Sequence, residues 1–282
     1  MKVIVTGSKG QLGTDVISEL QKNNIEYIEA DLPELDITDA DAVEKLISES
    51  NADAVIHCAA FTNVDLAESE CETCKKINYK GTLNIARACA NRGIKLLYLS
   101  TDYVFGGDGE TPFETDSPTA PCNYYGETKL DGEKAVAGIC PKHFIVRISW
   151  VFGKNGNNFV KTLLRLAETR DEITVVNDQT GSPTYTKDLS ELLCQMIKTE
   201  KYGTYHATNE GFCSWAEFAS KIMELSGAET KIIPIPSSEY KSVAARPSNS
   251  RLSKKSLDEN GFFRLPEWQN ALERCLKELK TN

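Results

Sequence analysis

The chain begins with the stretch Lys2-Val3-Ile4-Val5-Thr6-Gly7-Ser8-Lys9-Gly10-Gln11-Leu12-Gly13. Its apolar first half predicts a buried strand, and the apolar periodicity that continues to Lys22 predicts a helix directly after the glycines. Gly7 permits a tight turn off the strand, Gly10 lets the backbone approach a pyrophosphate, and Gly13 allows close packing of helix on sheet. The start of the helix adds N–H donors and the positive end of its dipole. The stretch therefore predicts a dinucleotide site, against the alternative that its glycines only shape a turn.

Short apolar runs alternate with helical segments through the first half of the chain. The predicted strands are Lys2–Thr6 and residues 27–30, 54–60, 96–100 and 143–151. The predicted helices are Gln11–Lys22, residues 38–50 with Thr38 as the N-cap, most of residues 68–90, and residues 123–137. Nearly continuous apolar strands that alternate with helices indicate a parallel sheet covered on both faces.

Beyond about residue 155 the alternation loosens, and loops rich in Pro, Gly and Ser separate shorter elements. Ser214 and Glu217 have the spacing of a capping box, and an amphipathic helix ends the chain. The predicted fold is α/β, a doubly wound parallel Rossmann sheet with a smaller C-terminal α/β lobe. We expect an NAD(P)-binding domain over residues 1–153. Residues 154–282 would be mainly a substrate-binding lobe, partly interleaved with the first domain.

The composition excludes several classes of protein. Hydrophobic residues make up 40% of the 282 residues, which is typical of a globular protein rather than a disordered one. The 41 Asp and Glu outnumber the 32 Lys and Arg, and the net charge of −9 argues against nucleic acid as a partner. No apolar run reaches the roughly 18 residues of a membrane span, and the glycines come too early for a signal peptide. We therefore expect a cytoplasmic protein without a membrane partner.

The nine cysteines indicate free thiols in a reducing compartment. Four of them lie in apolar stretches and are expected to be small buried side chains: Cys58, Cys89, Cys194 and Cys275. Cys71 and Cys74 have the spacing of a metal or redox motif, but no second ligand pair stands at a suitable distance along the chain. We therefore predict no metal site there. A redox or metal-binding role for this pair is the weaker alternative.

Tyr125 and Lys129 are four residues apart near the start of a predicted helix, so they lie on one face of it. Reduction of a carbonyl needs a proton for the carbonyl oxygen, and an unperturbed tyrosine holds its proton too tightly at neutral pH. A neighbouring ammonium lowers the tyrosine pKa, and Lys129 could also bind the ribose of a nicotinamide. The pattern predicts a proton donor and its activator. The alternative is a surface lysine beside a half-buried tyrosine, while Tyr124 lies off this face.

Polar side chains stand at the ends of two predicted strands. Ser100 and Thr101 follow the fourth strand, at the edge where ligands of open α/β sheets bind, and either hydroxyl could bind a substrate carbonyl or cap a turn. Asp31 ends the second strand and is placed to accept a hydrogen bond from the adenosine ribose. Its carboxylate disfavours a 2′-phosphate, which favours NADH over NADPH. Asp36 could flank the adenine or serve as a turn residue.

Taken together, these motifs resemble the dTDP-4-dehydrorhamnose reductase family of the extended short-chain dehydrogenase/reductase superfamily. The resemblance runs the length of the chain. The matching segments are residues 10–13, 35–38, 59–65 with Glu68, 100–105, 123–129, 149–153, 156–160, 178–184, 203–206 and 246–250.

The resemblance implies a role for each matching residue. Tyr125 would be the proton donor, Lys129 its activator and a ribose ligand, and Thr101 the hydroxyl that tunes the tyrosine. The cofactor would be NADH or NADPH, with NADH favoured, bound by Gly7, Gly10, Gln11, Leu12, Asp31, Asp36, Ile37, Ala59, Ala60, Thr62, Tyr125 and Lys129. The nucleotide sugar would contact Thr101, Asp102, Trp150 and Arg246. Of these, Arg246 has the planar geometry that suits a diphosphate.

Two positions depart from the family pattern. Phe61 stands where members often carry His, so its contact would not be the usual polar one. Some members are described as dimers with a carboxylate-bound Mg²⁺. Asp15 is shorter than the Glu expected for that site, so Mg²⁺ is not predicted and a homodimer is left open.

The resemblance implies NAD(P)H-dependent reduction of the C4 ketone of dTDP-4-dehydro-L-rhamnose to dTDP-L-rhamnose. One alternative is another nucleotide-sugar 4-reductase or epimerase of the superfamily, which would share every cofactor motif. A second is a non-catalytic regulatory homologue, similar to the β subunit of methionine adenosyltransferase. The intact set of Thr101, Tyr125 and Lys129 counts against the second alternative.

Overall fold

The computed structural model describes residues 1–281 and consists of short strands that alternate with helices. The strands are β1 Lys2–Thr6, β2 Glu26–Ala30, β3 Ala54–His57, β4 Lys95–Thr101, β5 His143–Ile148, β6 Val151–Phe152, β7 Glu172–Val176, β8 Thr180–Gly181, β9 Thr184–Tyr185, β10 Gly203–His206, β11 Cys213–Ser214, β12 Lys231–Ile235 and β13 Asn249–Ser250. The α-helices are α1 Gln11–Lys22, α2 Ala40–Glu49, α3 Val64–Ala67, α4 Cys71–Lys75, α5 Thr82–Arg92, α6 Tyr124–Ile139, α7 Phe159–Ala167, α8 Thr186–Ile197, α9 Trp215–Ser226, α10 Lys255–Glu259 and α11 Trp268–Lys280. A π-helical segment, Lys76–Gly81, joins α4 to α5, and two short 3₁₀ turns cover Asp102–Val104 and Ser237–Glu239.

Six parallel strands form the main sheet in the order β10-β5-β4-β3-β1-β2. Alternate residues of β1 face opposite sides. Val3 and Val5 pack with α1 and α8, while Ile4 packs with α2, α5 and α6. Both faces of the sheet are therefore buried, as the apolar strands predict, and the α/β fold is confirmed.

The strand order reverses between β1 and β3, because the chain leaves β1 on one side for β2 and returns on the other. In open α/β sheets this reversal opens a crevice at the carboxyl ends of the strands. Thr6, His57 and Thr101, the last residues of β1, β3 and β4, border that crevice.

A second apolar core lies away from the main sheet. It joins α7, α9 and α11 to the two-stranded parallel sheet of β7 and β12, with Phe152 and Trp268 among its large buried side chains. Strand β10, however, pairs with β5 in the main sheet, and α8 packs on α1. The division of the chain at residue 153 stays a prediction. No helix within residues 1–281 is long and apolar enough to cross a membrane.

Three predicted boundaries are wrong. Helix α2 is capped by Asp39, whose carboxylate accepts from the backbone N–H groups of Asp41 and Ala42, and not by Thr38. The predicted strands over 54–60 and 143–151 end earlier, at His57 and Ile148. The apolar residues that follow them line a cavity instead of continuing the ladder. An apolar pattern alone does not distinguish these two environments.

Candidate active site

The glycine-rich turn connects β1 to α1 in a shape that only small residues allow. Gly7 has φ +64°, and a Cβ on it would lie 2.6 Å from the backbone nitrogen of Ala59. A Cβ on Gly13 would collide with the backbone of Gly7 and Ser8. Gly10 is the N-cap of α1 and offers no side-chain cap, so the first N–H groups of the helix are available to an anion.

A cavity of about 770 Å³ opens from this turn across the carboxyl ends of the strands. Every residue predicted to bind the cofactor lines it: Gly7, Gly10, Gln11, Leu12, Asp31, Asp36, Ile37, Ala59, Ala60, Thr62, Tyr125 and Lys129. Thr101, Asp102 and Trp150 line it as well, whereas Arg246 does not. Cys58, predicted to be buried, is only half-buried because it also lines this cavity.

The acidic end of the cavity lies beside β2. Both oxygens of Asp31 accept backbone hydrogen bonds, one from the N–H of Lys9 and one from the N–H of Leu32, each at 2.9 Å. The ammonium of Lys9 lies 2.8 Å from the carboxylate of Glu34. Asp36 accepts from the N–H of Thr38 at 2.8 Å, and these hydrogen bonds lower its pKa. Three carboxylates and one paired ammonium thus lie together at or beside this end of the cavity.

Tyr125 is the second residue of α6 and points into the cavity. Asn123 caps the helix by accepting from the N–H of Gly126 at 2.8 Å, which fixes the first turn. Burial raises the pKa of the Tyr125 phenol, and a hydrogen bond with the Thr101 hydroxyl lowers it in part. The ring of Tyr103 meets that of Tyr125 edge-on, with 5.7 Å between the centroids.

Lys129 lies one turn further along α6 and is almost completely buried. Its ammonium donates to the carbonyl oxygen of Leu99 at 2.7 Å and lies 4.1 Å from the ring centroid of Tyr98. Burial lowers its pKa to about 7. The sequence predicts a lowered pKa for Tyr125, but burial, assisted by the nearby carboxyl of Asp102, raises it instead.

Asp102 and Trp150 both line the cavity. Burial raises the pKa of Asp102 to about 6, although the nearby hydroxyls of Ser250 and Thr101 act in the opposite direction, and that of Thr101 donates to Oδ1 at 3.1 Å. Trp150 has φ +48°, a strained backbone for a residue other than glycine. Its indole stacks on that of Trp215, with centroids 3.7 Å apart. A strained residue held in place by stacking is a common feature of binding sites.

Arg246 lies outside the cavity wall. Its guanidinium donates to the carboxylate of Asp65 at 2.8 Å, and Asp65 also accepts from the N–H of Ala244 at 3.1 Å. Asn123, the cap of α6, donates to the carbonyl of Ala245 at 2.8 Å. The loop that carries Arg246 is thereby tied to α3 and to the start of α6, next to Tyr125.

Several residues of the site were not predicted from the sequence. Lys76 lines the cavity and lowers the pKa of Asp36, although a lysine in a helical segment gives no sequence signal of this position. Glu133 and Arg147 form a buried ion pair behind Lys129. The spacing of Tyr125, Lys129 and Glu133 at successive turns of one helix is the signal that could have identified Glu133.

Cys71 and Cys74 lie in α4, and the Cys74 thiol contacts the hydroxyl of Thr128 at 3.3 Å. Asp15 accepts from the side chain of Asn155 at 3.2 Å, and burial raises its pKa. Within residues 1–281 no group of three or more His, Cys, Asp or Glu is arranged to hold a metal ion.

Comparison with known proteins identifies the family. The family model described as RmlD substrate binding domain matches residues 1–281. The chain is 40% identical over 277 residues to the spore coat polysaccharide biosynthesis protein SpsK of Bacillus subtilis (strain 168), covering 98% of this chain and 97% of that protein. Two solved structures of dTDP-4-dehydrorhamnose reductases are also similar. That from Clostridium acetobutylicum has a TM-score of 0.97 at 40% identity and covers 100% of both chains. That from Bacillus anthracis, in complex with NADP, has a TM-score of 0.96 at 44% identity and covers 98% of this chain and 99% of that one. The chain therefore belongs to the dTDP-4-dehydrorhamnose reductase family of the extended short-chain dehydrogenase/reductase superfamily.

Proposed function

We propose that this protein reduces the C4 ketone of dTDP-4-dehydro-L-rhamnose to the alcohol of dTDP-L-rhamnose, with a nicotinamide cofactor as the reductant. The observation that carries the proposal is that one cavity brings the glycine-rich turn together with Thr101, Tyr125 and Lys129. The similar structure from Bacillus anthracis holds NADP, which supports a nicotinamide cofactor for this chain.

The residues around the turn fit the cofactor. The uncapped start of α1, with the N–H groups of Gln11 and Leu12, would bind the pyrophosphate. Asp31, Asp36 and Ile37 would surround the adenosine, and the residues after β3 would lie along the middle of the dinucleotide: Ala59, Ala60 and Thr62. When bound, the dihydronicotinamide supplies the hydride that the carbonyl carbon accepts.

Tyr125 would donate the proton. Because its pKa is raised, the phenol keeps its proton across the physiological pH range, and the positive charge of Lys129 would ease the transfer as negative charge develops on the carbonyl oxygen. Thr101, which is hydrogen-bonded to Tyr125, would hold the same oxygen in line with the phenol. Lys129 would bind the ribose hydroxyls and supply positive charge to the phenolate that remains.

Three further residues would recognise the nucleotide sugar. Asp102 and Trp150, which both line the cavity, would contact the sugar. Arg246 would bind the diphosphate, for which it must exchange its hydrogen bond with Asp65 for phosphate oxygens. The loop position beside Tyr125 supports this role, because a diphosphate linked to the reacting sugar must lie within one sugar ring of the phenol.

For the cofactor we propose a preference for NADH. The carboxylates of Asp31 and Glu34 would lie near the adenosine ribose, and the ammonium of Lys9 beside them is already paired with Glu34. An added 2′-phosphate would therefore meet net negative charge.

The decisive experiment measures the fall of NADH and NADPH absorbance with a panel of dTDP-4-keto sugars. The proposal requires turnover with dTDP-4-dehydro-L-rhamnose and formation of dTDP-L-rhamnose. In Tyr125→Phe, turnover should fall by a factor of about 10² or more, while the affinity for NADH changes little. A chain that binds the cofactor but turns over no keto sugar would instead be a non-catalytic homologue. Faster turnover of another sugar would reassign the substrate.

A further inference from the structure

Glu133 lies on α6 one helical turn beyond Lys129, so the two side chains occupy the same face of the helix. Glu133 is 5% exposed and Lys129 is 3% exposed. A buried carboxylate is costly unless partners hold its charge. The hydrogen-bond partners of Glu133 show which elements of the fold it joins.

Two side chains from neighbouring strands hold the carboxylate. Arg147 of β5 donates from Nε to Oε1 at 2.9 Å and from Nη2 to Oε2 at 2.7 Å, a two-point contact. Ser100 of β4 donates from its hydroxyl to Oε1 at 2.5 Å. Glu133 therefore ties α6 to the ends of two central strands of the sheet.

The position of Ser100 connects Glu133 to the proposed proton donor. The preceding residue, Leu99, supplies the carbonyl that accepts from Lys129, and the following residue, Thr101, supplies the hydroxyl bonded to Tyr125. Because Glu133 holds the side chain between them, it fixes both groups relative to α6.

Glu133 also determines the charge around Lys129. The other titratable groups packed there come from β3 and the residue after it, β4, α4 and α6. Their shifted pKa values leave them neutral near pH 7: His57, Cys58, Cys74, Tyr98 and Tyr125. Burial lowers the pKa of Lys129 to about 7, and Glu133 is the foremost group that raises it. The carboxylate thus keeps Lys129 protonated against the cost of burial.

We propose that Glu133 is a positioning residue for the carbonyl reduction: held by Ser100 and Arg147, it keeps Lys129 charged and fixes the strand end that carries Leu99 and Thr101. The inference rests on the proposed function, because it gives Glu133 a place in that reaction. Glu133 acts only through Lys129 and Ser100 and touches no reacting group.

The first test titrates Lys129 in the protein without ligands, by NMR of protein labelled with ¹³C at the lysine Cε. The Lys129 signal is assigned by its loss in Lys129→Met. In Glu133→Gln its midpoint should fall by about one pH unit, because an opposite charge has been removed. Glu127→Gln is the matched control, since it removes an exposed carboxylate from the same helix and should leave the midpoint unchanged. An unchanged midpoint in folded Glu133→Gln overturns the inference.

The second test follows turnover against pH. The alkaline limb of kcat should move to lower pH in Glu133→Gln and back towards the wild-type position in Glu133→Asp, which restores the charge. If Glu133→Gln does not fold, Glu133→Gln/Arg147→Met removes both buried charges. Its Lys129 midpoint must also fall, although by less than in the single variant, because loss of the Arg147 cation acts in the opposite direction. A lost turnover in Tyr125→Phe together with unshifted midpoints in the Glu133 variants would overturn the positioning role and leave the proposed function standing. Full turnover in Tyr125→Phe would overturn the proposed function.

Discussion

At the scale of single residues, Asp102 shows how a side chain of the candidate site lowers the stability of the folded state. Burial raises its pKa to about 6 from 3.8, so between these two values the folded state binds more protons than the unfolded state. Stability therefore falls as the pH rises from about 4 to about 6, and above that the full penalty of the buried carboxylate is present. Such a penalty is expected where a charge is kept for binding.

Replacing Asp102 by Asn should remove this penalty. We expect Asp102→Asn to be more stable than the wild type at pH 7, by up to about 3 kcal/mol, and equal to it below about pH 4. Denaturant unfolding across this pH range measures the difference. Asp116→Asn, at an exposed position, is the control and should change stability little at any pH. If Asp102→Asn is no more stable than the wild type at pH 7, the carboxylate is not held at a cost.

Glu34 and Lys9 permit a test of coenzyme choice at the same scale. Without the carboxylate of Glu34, the ammonium of Lys9 is free to attract a 2′-phosphate. Glu34→Gln should therefore raise the ratio of kcat/KM for NADPH to that for NADH by about two- to fivefold, which is modest because the pair is exposed. Lys9→Gln should lower the same ratio. Steady-state kinetics with both cofactors measure this ratio. An equal ratio in the two variants would contradict the role of Lys9 and Glu34 in coenzyme choice.

At the scale of elements, the sequence predicts most of what local patterns determine. The strand Lys2–Thr6 and the helix Gln11–Lys22 are found at the predicted residues, because period and glycine spacing are local properties. The cap of α2 was misplaced by one residue, since Thr38 and Asp39 are both good caps and only the backbone turn held by Asp36 decides between them.

Contacts between elements were predictable only in part. Tyr125 and Lys129 share one helix, so their proximity follows from spacing alone. The burial of Glu133 is explained by its ion pair with Arg147 of β5. A pairing between residues of different elements cannot be recognised from a single sequence. The hydrogen bond of Arg246 to Asp65 could not be predicted for the same reason, because the two residues lie far apart in the sequence.

The effect of the α6 N-cap on catalysis can be measured separately from its effect on the stability of the protein. Asn123 bonds the first turn of the helix and also the loop of Arg246, through the N–H of Gly126 and the carbonyl of Ala245. We expect Asn123→Ala to lose about 1–2 kcal/mol of stability and to lower kcat/KM for the nucleotide sugar, because both Tyr125 and the loop lose their support.

The control for this variant is Asp39→Ala, which removes the cap of α2. It should lose a similar amount of stability yet keep its turnover at saturating substrate and cofactor. Unfolding curves and steady-state kinetics for both variants make the comparison. Equal kinetic losses in the two would show that Asn123 acts through general stability alone.

At the scale of the whole molecule, the site is assembled from the start of the chain and from its middle. The side chain of Gln11 in α1 donates to the carbonyl of Val151 and accepts from Asn158, the cap of α7. The glycine-rich turn and the segment around Trp150 are thus held against each other across one cavity.

The net charge of −9 sets the last prediction, because the proposed ligands are themselves polyanions. The long-range field of the protein repels them, so in the proposed function binding would rely on donors at close range: the start of α1, Lys129 and Arg246. Added salt screens the long-range repulsion over about 8–10 Å but leaves the buried contacts nearly intact. We therefore expect kcat/KM to stay level or rise as ionic strength increases from about 0.02 to 0.2 M. A protein that gathers phosphates by its overall field loses affinity steeply over such a range. Initial rates at fixed pH across a salt series measure how kcat/KM depends on ionic strength. A steep fall in kcat/KM would show that surface cations, not the cavity donors, capture the substrate.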